Sequence, residues 1–389
     1  MKIRYVLHNA YAAGGTIRTV INQANALCPD HDVEIASVYR TRAKSAFDID
    51  PRVRLVPLTD LRPDGLRRTD PRGTRLARKT RRFNSPFAHG NDGRYKRWDP
   101  VVDVAIVRYF RSADQGILVT TRPALNLLSA LTAPRRLIRV AQDHMNLDTY
   151  RPNLRAAIIR HYPRLDAVTV LTERDLVAYQ QALHGSAVRL ARIPNGIPPK
   201  DPPSAAPDTR RVVAAGRLTN QKGFDMLLDA WAKVTAAHPD WRLTIYGEGS
   251  GRGRLTAQRD RLGLGEVVQL PGITSKLDAE LSTSSMFVLS SRFEGLPMVL
   301  LEAMSCGLPV VAFDCPTGPG EVIDDGVNGR LVPPGDVDAL AAALIRTIEE
   351  PDQRRAMGAA AYASSGQFFM PSVREAWQQF FTTLTADRG

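Results

Sequence analysis

The chain has 389 residues, 43% hydrophobic and 24% charged, the composition of a globular protein of about two domains at roughly 100–200 residues each. That balance excludes a wholly disordered or fibrous chain, and with no run of about 18 apolar residues no membrane-spanning helix is expected. The formal net charge of +12 is uneven: residues 200–389 hold 19 basic and 23 acidic side chains, leaving 33 and 17 for residues 1–199. Such a basic half suits an anionic partner (membrane headgroups, a phosphate-bearing substrate or nucleic acid) or is a plain solvated surface.

The first apolar run, Ile3, Tyr5, Val6 and Leu7, predicts a buried strand. Arg4 and His8 interrupt it, short of the roughly 7–15 apolar residues of a secretory signal, so a cytoplasmic protein is expected. A glycine-containing loop over residues 8–15 follows. Ile17, Val20, Ile21, Ala24 and Leu27 then recur at helical spacing, and residues 32–38 predict a second strand. Strand, glycine loop, helix, strand implies a parallel sheet.

Residues 60–97 break this pattern with twelve Lys/Arg and four Asp, and predict a mobile basic loop or short basic helix. Strand-like runs resume at 101–107, 116–120, 137–141 and 167–171. Six prolines within residues 194–209 predict a linker, because proline fixes its own φ and restrains its predecessor. Beyond it, strands are predicted at 211–215, 242–246, 267–270, 286–290 and 309–312. Phe224, Leu227, Leu228, Trp231 and Val234 mark a helix, and Val373, Trp377, Phe380 and Phe381 mark another near 372–384. Three cysteines, Cys28, Cys306 and Cys315, have no paired spacing and predict neither a disulfide framework nor a zinc site.

Two segments carry residue types suited to chemistry. GRLTNQKG, residues 216–223, follows a strand and opens a helix. Free N–H groups of a helix N-terminus together with Arg217 and Lys222 would suit a diphosphate. The GK[ST] signature is absent, so the bare alternative is a surface Arg and Lys at a turn. SRFEGLPMVLLEAMSCGLPVV, residues 291–311, places Glu294 in a loop, Gly295 where backbone can approach closely, Pro297 near a helix start and Glu302 inside the helix. Sugar or ribose hydroxyls would partner these carboxylates. The alternative is a solvated helix face for Glu302 and an ordinary loop acid for Glu294.

The chain resembles the family 4 retaining glycosyltransferases of the GT-B fold. The likeness rests on GRLTNQKGFDMLLDAW from Gly216, YGEGSGRGRL from Tyr246, FEGLPMVLLEAMSCGLPVV from Phe293 and GEVIDDGVNGRLVPPGD from Gly320. Glu294 and Glu302 meet the family's pattern of two glutamates with seven residues between them. The match covers nearly all of the second half. The first half offers a Gly14-Gly15 loop, Asp143-His144 after a strand and an Asn195-Gly196 hinge. Pro198 stands where the family usually carries an acid.

The resemblance implies an α/β protein of two Rossmann-like, doubly wound domains facing a central cleft, with the C-terminal helix returning to the first. Residues 1–194 with 370–389 would form the acceptor domain, 195–209 the linker and 210–369 the nucleotide-sugar domain. It further implies that Arg217 and Lys222, beside Gly216, hold the donor diphosphate, that Gly15 adds a backbone N–H, and that Glu302 binds ribose. Glu294 would face the donor sugar with the backbone of Gly295, Leu296, Pro297 and Met298. His144, by itself equally a core histidine, would contact the transferred sugar. Gly247, Gly272 and Ile273 would line the base pocket. Glu294, His144, Arg217 and Lys222 are therefore the catalytic candidates.

Leaving-group charge could be met by Arg217, Lys222 and a helix N-terminus, so no metal and no cofactor is expected. The two Asp-x-Asp triplets, Asp48/Asp50 and Asp336/Asp338, read as turns and caps. Retention would follow a front-face route, with Glu294 as covalent nucleophile the lesser option. YGEGSGRG is read as a nucleotide-facing turn, since the acid Glu266 lies before a strand and not at a strand end. The expected partners are a nucleoside-diphosphate sugar, first a UDP-sugar, and an anionic or lipid-linked acceptor such as a cell-envelope glycan, glycolipid or teichoic-type polymer. Arg67, Arg68, Arg78, Lys79, Arg81 and Arg82 would meet that acceptor or the anionic inner face of a membrane. A small metabolite or antibiotic-like aglycone is the alternative acceptor. A non-catalytic nucleic-acid- or membrane-binding protein is the rival class; no recognised nucleic-acid motif occurs.

Overall fold

β1 (Lys2–Leu7) sends alternate side chains to opposite faces, Ile3, Tyr5 and Leu7 into one buried cluster and Val6 into another. This alternation between two apolar faces is what a parallel sheet covered by helices on both sides requires. The structure is a computed structural model that describes residues 1–62, 98–201 and 209–388. It forms two units, residues 1–196 with 370–389 and residues 197–369.

In the first unit β2 (Asp32–Arg40), β3 (Arg54–Asp60), β4 (Gly116–Thr120), β5 (Leu137–Gln142), β6 (Ala167–Val170) and β7 (Arg189–Arg192) join β1 in the order β3-β2-β1-β4-β5-β6-β7. Every pair is parallel. The helices Gly15–Leu27 and Met370–Ala386 share one face, where Val20, Ile21, Ala24, Trp377 and Phe381 are buried with Tyr5 and Val140. The C-terminal helix thus belongs to the first unit.

Residues 101–107 are not a strand. They lie in the helix Pro100–Ser112, whose start is set by Asp99 accepting the Val102 N–H at 3.0 Å and by Pro100 in the first turn. Val102, Ile106 and Phe110 are its buried stripe at intervals of four. The β-branched run misleads because a short apolar stretch suits a strand and a buried helix equally. The six basic residues Arg67, Arg68, Arg78, Lys79, Arg81 and Arg82 lie outside the described residues.

In the second unit β8 (Arg211–Ala215), β9 (Arg242–Tyr246), β10 (Val268–Gly272), β11 (Met286–Leu289), β12 (Val310–Phe313) and β13 (Gly329–Val332) are ordered β10-β9-β8-β11-β12-β13, all parallel. The helix Phe224–Ala237 packs Leu227, Trp231 and Val234 against Val212, Val288 and Phe313. The strand order changes direction between β8 and β11 while the strands stay parallel, and the loops that leave their carboxyl ends flank that switch point.

Candidate functional site

The loop after β8 is laced to its neighbours through main chain. Gly216 N–H donates to Tyr246 O at 2.9 Å, Leu218 N–H to Glu248 O at 3.0 Å, and Gly247 N–H to Gly272 O at 2.8 Å. Only glycine fits at 247, where φ is +143° and an added Cβ would stand 1.8 Å from Gly216 O. A single turn, Asn220–Lys222, then ends in Gly223 at φ +61°, where a Cβ would stand 2.0 Å from Ser290 O. From there the helix Phe224–Ala237 begins with no side-chain cap.

The loop after β11 meets this turn. Lys222 Nζ donates to Glu294 Oε1 at 2.5 Å, and Ser291 Oγ donates to the same oxygen at 2.5 Å. The Lys222 and Glu294 side chains are only 13% and 7% exposed. Glu294 is anchored by its own backbone too, N–H to Pro316 O at 2.9 Å and C=O from Thr317 N–H at 3.0 Å. Pro297 caps the helix Met298–Ser305, and Glu302, one turn beyond Met298, is 3% exposed. Neither carboxylate is therefore a solvated surface acid; that alternative is overturned. A buried carboxylate needs a compensating partner, and Glu294 has one in Lys222.

Arg217 is exposed at the mouth of the same loop. Gly247, Gly272 and Ile273 come together at the ends of β9 and β10, with Gly272 beside the Glu248–Arg252 ion pair and Ile273 presenting 77% of its surface to solvent. Gly216, Arg217, Lys222, Gly247, Gly272, Glu294 and Gly295 thus gather at the carboxyl edge of one sheet.

Gly15 and His144 belong to the first unit. Gly15 opens the helix Gly15–Leu27, which has no side-chain cap, at the carboxyl end of β1. His144 follows β5 and is half-buried; burial and the positive charge of Arg122 push its imidazole down to about 3. Its Nε2 has no hydrogen-bond partner among the described residues. Asp143 is buried and accepts from Tyr150 and Tyr179 hydroxyls at 2.5 Å each, while burial raises its carboxyl above the usual range. Asp50 pairs with Arg52, and Asp336 caps the helix Val337–Glu349 through Ala339 N–H.

Sequence reasoning missed Ser291, Arg292, Gln221 and Asp225, which build the site's frame. Arg292 grips Asp225 with two bonds of 2.9 and 2.7 Å, and Gln221 Nε2 donates to Phe293 O. Arg292 stands two places before Glu294, yet spacing alone carries no hint that it reaches a residue 67 positions away.

Residues 199–364 match the family model for glycosyl transferases group 1. The exopolysaccharide phosphotransferase of Streptomyces coelicolor is 35% identical across 100% of this chain, which spans 41% of that protein's length. The amylovoran biosynthesis glycosyltransferase AmsD of Erwinia amylovora is 28% identical, over 70% of this chain and 79% of its own. Among solved structures, S. aureus TarM, crystallised with fondaparinux, α-GlcNAc-glycerol and UDP, matches with a TM-score of 0.79 at 16% identity, over 98% of this chain and 99% of that one. The two doubly wound sheets share the fold of the GT-B glycosyltransferases. Residues 199–364 carry the sequence signature of the group 1, family 4-like glycosyltransferases.

Proposed function

We propose that the chain transfers a sugar, with retention and without a metal, from a nucleoside diphosphate, first UDP, to a hydroxyl of an exopolysaccharide or other anionic or lipid-linked cell-envelope glycan. The observation that carries this reading is the buried Lys222–Glu294 pair at the switch point, beside exposed Arg217 and an uncapped helix N-terminus. Rupture of the sugar–phosphate bond leaves negative charge on the departing phosphate. Cations and N–H groups already in place there lower the barrier without reorganisation.

In this reading Arg217, Lys222 and the amides near Gly216 meet the diphosphate, and Gly15 adds one N–H. Glu302 accepts from ribose hydroxyls. Glu294 and the backbone of Gly295, Leu296 and Met298 face the donor sugar, and neutral His144 contacts it. Gly247, Gly272 and Ile273 receive the base. The departing phosphate oxygen takes the proton of the acceptor hydroxyl, whose own oxygen bonds to the anomeric carbon on the face the phosphate leaves. The UDP bound by TarM and the polymer-related names of the relatives support the donor and acceptor classes. The basic run of residues 60–97 supports contact with an anionic inner membrane face; among the described residues no helix is long and apolar enough to cross a membrane.

The test is calorimetric titration with UDP, GDP, CMP and ADP in EDTA. Tight binding of one diphosphate is expected, and binding of none would sink the donor site. The phosphotransferase relative makes a second reading concrete. Donor labelled separately in the sugar and in the β-phosphate separates them: sugar label alone in the product means glycosyl transfer, both labels mean phosphosugar transfer.

A further inference from the structure

We infer that Arg292 and Asp225 form a clasp across the switch point that sets Lys222 against Glu294, and are positioning residues for that pair. The single turn Asn220–Lys222 has no side-chain cap of its own, and Gly223 after it is conformationally permissive. Contacts from the loop after β11 hold it in place. Arg292 Nη1 donates to Asn220 O at 2.8 Å and to Asp225 Oδ1 at 2.9 Å, while Nη2 donates to Asp225 Oδ2 at 2.7 Å. Arg292 N–H donates to Gln221 O at 2.8 Å, Gln221 Nε2 to Phe293 O at 3.1 Å, and Ser290 Oγ to Lys222 O at 3.0 Å.

The arrangement brackets both partners. Asp225 is three places after Lys222, and Arg292 is two before Glu294. The planar guanidinium fork locks distance and angle together, which a point charge would not do. Asp225 answers electrostatically: the hydrogen bond from Arg292 holds its carboxyl below the usual range. The clasp stands on geometry alone; its consequence for ligand binding rests on the donor-site reading above.

Two measurements keep these separable. The first is acetic anhydride labelling of the native protein, reading Lys222 against Lys276 by peptide mass spectrometry. Arg292→Ala and Asp225→Asn are expected to raise relative Lys222 labelling several-fold, and Arg292→Lys by less. Val234→Ala, a core truncation away from the clasp, should lower the thermal midpoint and leave Lys222 labelling unchanged. The second is UDP titration, where Arg292→Ala should weaken binding about tenfold, the scale of one displaced charge-assisted contact. Unchanged Lys222 labelling in both clasp variants, with only a lower thermal midpoint, would overturn the proposal and leave a plain ion pair. Should Arg292→Ala not fold, Asp225→Asn and Arg292→Lys carry the same test. Failure of the unaltered protein to bind any nucleoside diphosphate would remove the donor reading, while the labelling result would still decide the clasp.

Discussion

Lys222 Nζ and Glu294 Oε1 lie 2.5 Å apart across 72 residues of sequence, in side chains that are almost wholly covered. The two are one unit: the cation that we propose meets the diphosphate, and the buried carboxylate that neutralises it. Lys222→Ala should therefore have two effects. Nucleoside diphosphate affinity should fall about 10- to 100-fold, the range for lost charge-assisted bonds. Stability should also fall by about 3–5 kcal/mol, because Glu294 is left buried without its cation. The double variant with Glu294→Gln should regain most of the stability and none of the affinity. Urea unfolding with UDP calorimetry checks both.

Glu302→Gln separates ribose from phosphate. A neutral amide in place of the buried carboxylate should weaken UDP and leave inorganic pyrophosphate binding unchanged. Equal weakening of both ligands would contradict the ribose role.

His144 supplies a pH signature. Its imidazole sits at about 3 in the folded chain against an ordinary 6.5, so the unfolded state binds the extra proton between those values. The stability this group contributes is complete above about pH 6.5 and is lost progressively as pH falls toward 3. Thermal midpoints measured from pH 7 to pH 4 should fall more steeply in the unaltered protein than in His144→Asn.

Trp377 tests the return of the C-terminal helix. Fully buried beside Phe380, Phe381 and the helix Gly15–Leu27, it should cost about 3–5 kcal/mol when truncated to alanine. Denaturant unfolding followed by circular dichroism reads the loss directly.

Cys315 lies near the Lys222–Glu294 pair, and burial first, then the Glu294 charge, pushes its thiol up to about 12. At pH 8 it should stay protonated and resist iodoacetamide in the folded protein. Lys222→Ala should suppress that thiol's reactivity further, and denaturant should release it.

The interior strands were legible where their apolar runs are continuous, as in β11, where Met286, Phe287, Val288 and Leu289 are all buried. The three strands that sequence reading passed over, β3, β7 and β13, all lie at sheet edges. β3 carries Pro57 and exposed Arg54, and β7 begins and ends in exposed arginines. An edge strand pairs on one side only and tolerates proline and charge, which is why β3 and β7 lack an apolar period. The site was legible in part: the glycine turns, Lys222, Glu294 and Glu302 stand in a recognisable order, but Arg292 and Asp225 do not announce each other.

What the sequence by itself determined is local: parallel βα units from alternating periods, the glycines at the carboxyl ends of β8 and β9, and which side chains carry charge within each loop. Tertiary structure alone decided that Lys222 closes on Glu294, that Glu302 is buried and that Arg292 clasps Asp225. Backbone propensity and periodicity act over a few residues, whereas these pairings depend on which strand lies beside which. In a doubly wound sheet that order is set by the crossovers, which place β11 next to β8 and so bring distant loops to one edge.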